Sequence, residues 1–340
     1  MKFILRDEAR ATERRTPITP ADAKTFQAAG FVLQVEHSDK RIFSNAEYAA
    51  AGCELVKAGT WKTVSNCTIL GLKELPDNPV ALQNQMIHFA HIYKGQTGWQ
   101  QEINRFKNKG CLYDIEYLTI NNRRTAAFGY WAGWMGAALA AWRQLAADLG
   151  QTGPEKGVSS FESRIEVEEI LKNLANRSKT RRAVVIGAKG RSGSGAIEAL
   201  KLAGYSVTEW DIEETRNLDN NALQAHDLLV NCVLMTGPGL RLLTPENIGK
   251  GNLKMISDVS CDPFSDFNPL PVYEAPTTWE TPFKNLGNGV EITAIDNLPS
   301  MLPYEASVDF SSQLINSLLV YPNGPEWLAA QTSFKNAKSQ

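Results

Sequence analysis

At 340 residues, with 43% apolar, 21% charged and 9% aromatic side chains, the chain is long enough for two compact domains. This is the composition of an ordinary soluble globular protein, which excludes a small disulfide-stapled module and a disordered or fibrous chain. Its 35 Lys and Arg against 37 Asp and Glu leave a formal charge of −2, so no global field draws it to nucleic acid or to an anionic membrane.

The chain opens MKFILRDEAR, where Arg6, Asp7 and Glu8 interrupt any apolar core of a signal peptide, and a cytoplasmic location is expected. Short β-rich runs then alternate with helical ones: KFIL, PADAKTFQAAG, FVLQVEH, NAEYAAAG, CTILGLKE, QMIHFAHIY, a polar amphipathic stretch over 96–109, and CLYDIEYL. Such alternation argues for a mainly parallel α/β sheet. Thr125 to Trp142 carries no charge and reaches the lower edge of membrane-spanning length. Alanine and glycine fill most of it, and Gly129, Gly133 and Gly136 offer a face for close packing, so a buried helix crossing between domains is expected. After the turn-rich QTGPEKG and a charged helix in FESRIEVEEILKNLANR, a second α/β unit begins at RRAVVIG. It runs strand (Ala183–Ile186), glycine-rich turn, helix (Gly195–Ala203), strand (Ser206–Trp210), then strands at DLLVNCVL, KMISDVS and EITAIDNL, the order of a doubly wound nucleotide-binding domain. A last helix near Tyr304 to Leu319 has an apolar stripe that suits packing back on the N-terminal domain. The five cysteines (Cys53, Cys67, Cys111, Cys232 and Cys261) are scattered without a CxxC pair, which favours reduced, buried thiols.

The turn from Gly187 to Gly195 (GAKGRSGSG) follows a buried strand and opens a helix, the setting in which glycines let a diphosphate approach the backbone and the helix N-terminus receives it. Gly187, Gly190, Arg191, Ser192 and Gly193 are therefore candidate cofactor contacts. The spacing is G-x-x-G-x-x-G-x-G rather than strict G-x-G-x-x-G. Asp211 ends the next strand, where a carboxylate accepts hydrogen bonds from an adenine ribose and repels a 2′-phosphate, so NAD is expected rather than NADP.

In the N-terminal half, Arg15, Lys73, His91, Lys94 and Arg124 punctuate apolar runs, at strand ends where α/β sheets put their ligand sites. Lys73 and His91 each follow mostly apolar residues, so burial is expected to tune them for proton transfer. His88 and His91 form H-x-x-H, but residues three apart in a strand face opposite ways, and no metal is expected.

Together LKELP, FAHIYKGQ-x-GW, YDIE, RR-x-AAFG-x-x-AG, IGA-x-GR-x-GSGA, W-D-I-x-E-T and ID-x-LPS-x-LP-x-EAS resemble, in order and spacing, the NAD-dependent, lysine-forming saccharopine dehydrogenases. The resemblance implies an α/β protein of two Rossmann-like, doubly wound domains flanking a cleft, as in the alanine dehydrogenase and transhydrogenase superfamily. Residues 1–128 with 305–340 would form the substrate domain and 129–304 the dinucleotide domain. It implies the cleavage of saccharopine, with NAD and water, to lysine and 2-oxoglutarate, or the reverse. These small molecules would be its partners, with no nucleic acid or membrane, in a monomer or small homo-oligomer. By position, Lys73 and His91 match the family's acid-base pair; Arg15, Lys94 and Arg124 match residues that hold substrate carboxylates; Glu74 and Glu116 match acidic residues near that pair. Asp211 matches the ribose acceptor and Asp296 a nicotinamide-side residue. Tyr304 stands where the family pattern has arginine, and the loop before Phe161 is shorter. An alanine-type or other opine or amino-acid dehydrogenase, and a non-catalytic NAD-sensing protein, are the competing readings.

Overall fold

The protein is described from a computed structural model, which covers residues 1–76, 81–93, 98–107, 109–235 and 237–339. Two compact units emerge, Met1–Ala127 with Pro303–Gln340, and Phe128–Leu302.

In the first unit, β1 (Lys2–Leu5), α1 (Pro20–Ala28), β2 (Val32–Glu36), α2 (Asn45–Ala50), β3 (Glu54–Val56), β4 (Thr68–Leu70), β5 (Gln85–His88), α3 (Trp99–Arg105) and β6 (Cys111–Asp114) build a parallel sheet. Its order is β3-β2-β1-β4-β5-β6, the doubly wound arrangement whose direction of winding reverses between β1 and β4. The helices start where local chemistry satisfies their free N–H groups. Thr19 caps α1 ahead of Pro20, and Ser44 with Glu47 forms a capping box on α2. A small hairpin, β7 (Thr119–Ile120) and β8 (Arg123–Arg124), turns on Asn121 and Asn122 at φ of 50° and 60°, the left-handed region that asparagine tolerates.

The second unit holds α4 (Gly129–Asp148), α5 (Arg164–Ala175), β9 (Arg182–Ile186), α6 (Arg191–Leu202), β10 (Ser206–Trp210), α7 (Ile212–Thr215), α8 (Asn220–Gln224), β11 (Leu228–Asn231), β12 (Met255–Asp258), β13 (Lys284–Asn285) and β14 (Glu291–Thr293). The sheet order is β10-β9-β11-β12-β14-β13, parallel except for the edge pair β13–β14. From Ala183 to Ile186, β9 is fully buried, as a central parallel strand covered on both faces should be. The chain then returns to the first unit with α9 (Pro303–Leu319) and α10 (Pro325–Lys338). Ser307 and Ser311 of α9 accept the backbone N–H groups of Thr16 and Thr19, both at 2.9 Å, which ties α9 to the loop before α1.

The uncharged stretch 125–142 falls mainly in α4, which lies within the second unit instead of crossing between domains. Among the described residues no helix is long and apolar enough to cross a membrane. Close packing on α6 explains its glycines. A Cβ on Gly133 would stand 1.8 Å from the Ser192 carbonyl oxygen, and one on Gly195 2.0 Å from that of Tyr130. Helix α6 begins at Arg191, four residues ahead of the expected Gly195, because the turn closes quickly: Gly187 takes φ +80° and Gly190 already serves as N-cap. Cys53, Cys67 and Cys111 are buried, Cys232 and Cys261 half-buried, and all five are free thiols.

Gly133→Ala should therefore force α4 off α6 and destabilise the protein by about 2 kcal/mol or more, since backbone cannot yield as a side chain does. A urea midpoint equal to the parent's would show that the two helices are not held at this distance.

Candidate active site

At the carboxyl edge of the first sheet, the loops after β1, β4, β5 and β6 bring charged side chains together. Arg6, just past β1, is 1% exposed and pairs with Glu8 at 2.9 Å. The Glu8 carboxylate accepts the backbone N–H groups of Leu72 at 2.7 Å and Lys73 at 3.1 Å, and Arg6 donates to the Lys73 carbonyl oxygen. Gly71 leaves room for this, because a Cβ there would lie 2.3 Å from Arg6 Nε. A buried ion pair thus sets the backbone from which the half-buried Lys73 projects.

Arg15 is 3% exposed and engaged bidentately by Glu13, with Nε–Oε1 at 2.8 Å and Nη2–Oε2 at 2.6 Å. Burial pushes the Glu13 carboxyl upward, but Arg15, through its charge and hydrogen bonds, and the nearby Lys73 outweigh it and lower the pKa to about 2. In place of a substrate carboxylate, Arg15 here holds an internal one. Glu74, beside Lys73, pairs with Arg10; against the upward push of burial, its own backbone, Arg10 and Lys73 hold it below its ordinary value.

His91 differs from the expectation of burial. Strand β5 ends at His88, so it is His88, at 1% exposed, that the sheet encloses. Burial, with Arg6, His91 and Arg105 nearby, holds the His88 pKa well below its ordinary value. His91 lies beyond the strand at φ +55°, a left-handed position that histidine visits more readily than bulkier residues, and its side chain is 48% exposed. Its ring stacks on Phe89, and its Nδ1 faces Glu116 Oε2 at 3.6 Å. Glu116 Oε1 accepts from Arg124 Nη2 at 3.0 Å. Arg124 comes from β8 and Glu116 from the 3₁₀ turn Ile115–Tyr117 that follows β6, which ends CLYDIEYL as a strand at Asp114.

Of the sequence-derived residues, Lys73, Glu74 and Arg15 form one group with Glu13, and His91, Glu116 and Arg124 a second; Lys94 lies outside the described residues. Glu13, Glu8 and Asp114 were not singled out by sequence; Glu13 stands two residues before Arg15 and Asp114 two before Glu116, but only the fold shows that they are buried. No cluster of three or more His, Cys, Asp or Glu side chains among the described residues is arranged to hold a metal ion.

In the second unit, the glycine turn fits a dinucleotide. Gly187 is left-handed, and a Cβ on Gly193 would stand 2.2 Å from the Gly187 carbonyl oxygen, so the turn stays open to a diphosphate only with glycine there. Arg191, Ser192 and Gly193 form the first turn of α6, whose N–H groups lack partners within the helix. Asp211 caps α7, and its Oδ2 accepts the Lys189 N–H at 3.0 Å, which braces the turn. Beside it opens a groove of about 650 Å³ lined by Asp211, Ile212, Arg216, Val233, Met235 and Leu240. Asp296, exposed past β14, shares this carboxyl edge at a distance of three strand spacings from β9, about 14 Å.

Residues 4–135 match the family described as the N-terminal domain of alanine dehydrogenase/PNT. The chain is 36% identical to a saccharopine dehydrogenase [NAD(+), L-lysine-forming] of Candida albicans over 97% of its own length and 95% of the relative's. It is 37% identical to one of Yarrowia lipolytica, covering 98% and 96%. The chain belongs to the saccharopine dehydrogenase family. Among solved structures it resembles an L-alanine dehydrogenase with a TM-score of 0.71 at 16% identity, covering 99% of this chain and 94% of that one, which shows the two Rossmann-like domains of this family's fold. The two charged groups lie in the part of this saccharopine dehydrogenase family member that the N-terminal family match spans.

The Glu13–Arg15 pair makes stability depend on acid in a defined direction. The folded Glu13 pKa, about 2, lies below its ordinary 4.5, so its contribution is complete above pH 4.5 and is lost as pH falls toward 2. Glu13→Gln should cost about 3 kcal/mol at pH 7, and the difference from the parent in urea midpoint should shrink between pH 4.5 and 3. A gap that stays constant with pH would show that the pair is not ionic.

Proposed function

We propose that this chain is an NAD-dependent oxidoreductase that cleaves saccharopine, with water, to lysine and 2-oxoglutarate, and runs the reaction in reverse. The observation that carries this reading is the identity with saccharopine dehydrogenases along nearly the whole chain. The glycine turn, Asp211 and Asp296 lie along one edge of the second sheet, and would hold diphosphate, ribose and nicotinamide side in that order. NAD, when bound, supplies the acceptor for the hydrogen and electron pair that leave the substrate carbon.

The chain's own residues handle the protons. Lys73 takes the proton from the secondary ammonium of saccharopine, which frees the nitrogen lone pair needed to form the imine. His91, exposed and oriented by Glu116, then moves protons as water adds to that imine and the carbinolamine collapses to the amine of lysine and the ketone of 2-oxoglutarate. Arg124, with Lys94, receives substrate carboxylates, whose several negative charges call for convergent cations. Arg15 is already held by Glu13, whose carboxylate also feels the charge of Lys73.

NADH absorbance decides the reading: purified protein should turn over with saccharopine and NAD, and with lysine, 2-oxoglutarate and NADH, but not with alanine or with pyruvate and ammonia. Turnover of alanine alone would overturn the substrate and leave the cofactor. Lys73→Met and His91→Gln should each lower kcat by roughly 10²- to 10⁴-fold, and parent-like turnover in either would remove that residue from the mechanism. Asp211→Ala should weaken NAD about tenfold and narrow the preference over NADP; an unaltered ratio would assign the discrimination elsewhere.

A further inference from the structure

Behind His91 the structure holds a carboxylate that the chemistry above does not use. Asp114, the last residue of β6, is 0% exposed. Its Oδ1 accepts the Glu116 N–H at 3.0 Å and so caps the 3₁₀ turn that carries Glu116, while its Oδ2 is buried without a well-aligned hydrogen bond, the backbone N–H of Ala90 being near enough to favour the charged carboxylate. A cap alone does not require a carboxylate, because asparagine or serine serves as well, and a fully buried carboxylate carries a desolvation cost.

We propose that Asp114 is a positioning residue for His91, acting through Glu116: the buried carboxylate holds the short turn in which Glu116 faces the His91 ring on one side and Arg124 on the other. The inference rests on the functional reading above. The geometry forms a continuous chain from Asp114 Oδ1 to the Glu116 amide, and from the two Glu116 oxygens to His91 Nδ1 and Arg124 Nη2. Because both partners meet the same side chain, any shift of the turn acts on the two contacts together.

Other titratable groups around Asp114 bear on its charge. Glu116 comes from the turn itself and His91 from the loop after β5; His88 is its register partner on β5. Tyr93 and Tyr117, whose rings meet edge to face, both feel its charge. Cys111 lies on its own strand and faces Lys335 and Lys338 of α10. Burial raises the Asp114 pKa most, the Glu116 amide lowers it, the Glu116 charge raises it, and His91 and the Ala90 amide lower it, for a result of about 6. The acceptor of the Glu116 amide therefore changes charge within the range where the enzyme would work.

Two variants separate charge from scaffold. Asp114→Ala removes the cap and should lower kcat about 10- to 100-fold with the KM for NAD unchanged. Asp114→Asn still presents an acceptor and should recover most of that loss, while an ionisation with midpoint near pH 6 disappears from the kcat–pH profile. The same midpoint should appear in the NMR titration of the Glu116 amide in the parent and be absent in Asp114→Asn. Parent-like kcat in a folded Asp114→Ala protein, or a kcat–pH profile and Glu116 amide titration of Asp114→Asn superimposable on the parent's, would overturn the proposal. If Asp114→Ala does not fold, the Asn variant decides. If the parent turns over no saccharopine, the functional reading falls by itself and the Glu116 amide titration still tests the positioning role.

Discussion

The first unit depends on what happens where two neighbouring parallel strands, β1 and β4, send their chains in opposite directions. Their carboxyl ends leave a crevice that no crossover covers, and the loops bordering it need internal partners for their backbone. Arg6 and Glu8 supply them: the ion pair from the end of β1 takes up the N–H and C=O groups at the end of β4. A single buried carboxylate, 6% exposed, thereby fixes the residue that presents an amine to the crevice. Removing either partner would leave the other as an uncompensated buried charge, a cost of about 3–5 kcal/mol, so the device is structural as well as positional.

The same logic recurs along this edge. Glu13 neutralises Arg15, Glu116 stands between His91 and Arg124, and Asp114 holds the turn that carries Glu116. Arg15, His91 and Arg124 are each met by a carboxylate from the chain itself. Burial decides which members are fixed: Glu13 and Asp114 are both enclosed and both pushed upward by burial, but Arg15 overrides that push and takes Glu13 down to about 2, whereas nothing of equal strength faces Asp114, which rises to about 6.

The second unit relies on backbone proximity instead of charge. Gly133, Gly193 and Gly195 stand where any Cβ would meet a carbonyl oxygen, so α4 presses on α6 and α6 on the turn after β9. The open turn and the tightly packed helix are two consequences of the same small residues. Asp211 reinforces them by accepting a turn amide while still bordering the groove beside α7.

Much of this was legible in the residues. Alternating apolar runs such as KFIL and AVVI, bounded by Thr-Pro and Gly signals, marked the parallel strands and helix starts, because strand burial and capping are local or nearly local matters. The glycine turn with Asp211 was equally readable, since glycine spacing expresses a backbone requirement directly. The short edge strand β3, the hairpin and α10 were not, for two or three residues carry no periodicity, and α10 shows its stripe of Trp327, Ala330 and Phe334 only once the chain has returned to cover β6. Sequence also named Lys73, His91 and Arg124, and the resemblance added Glu116, but burial was expected at His91, whereas the enclosed histidine is His88. That depends on β5 ending at His88 and on the left-handed backbone at His91. Residue identity determines which charges a chain has available; only packing decides which of them lose water, and so which are held as internal pairs and which face outward to do chemistry.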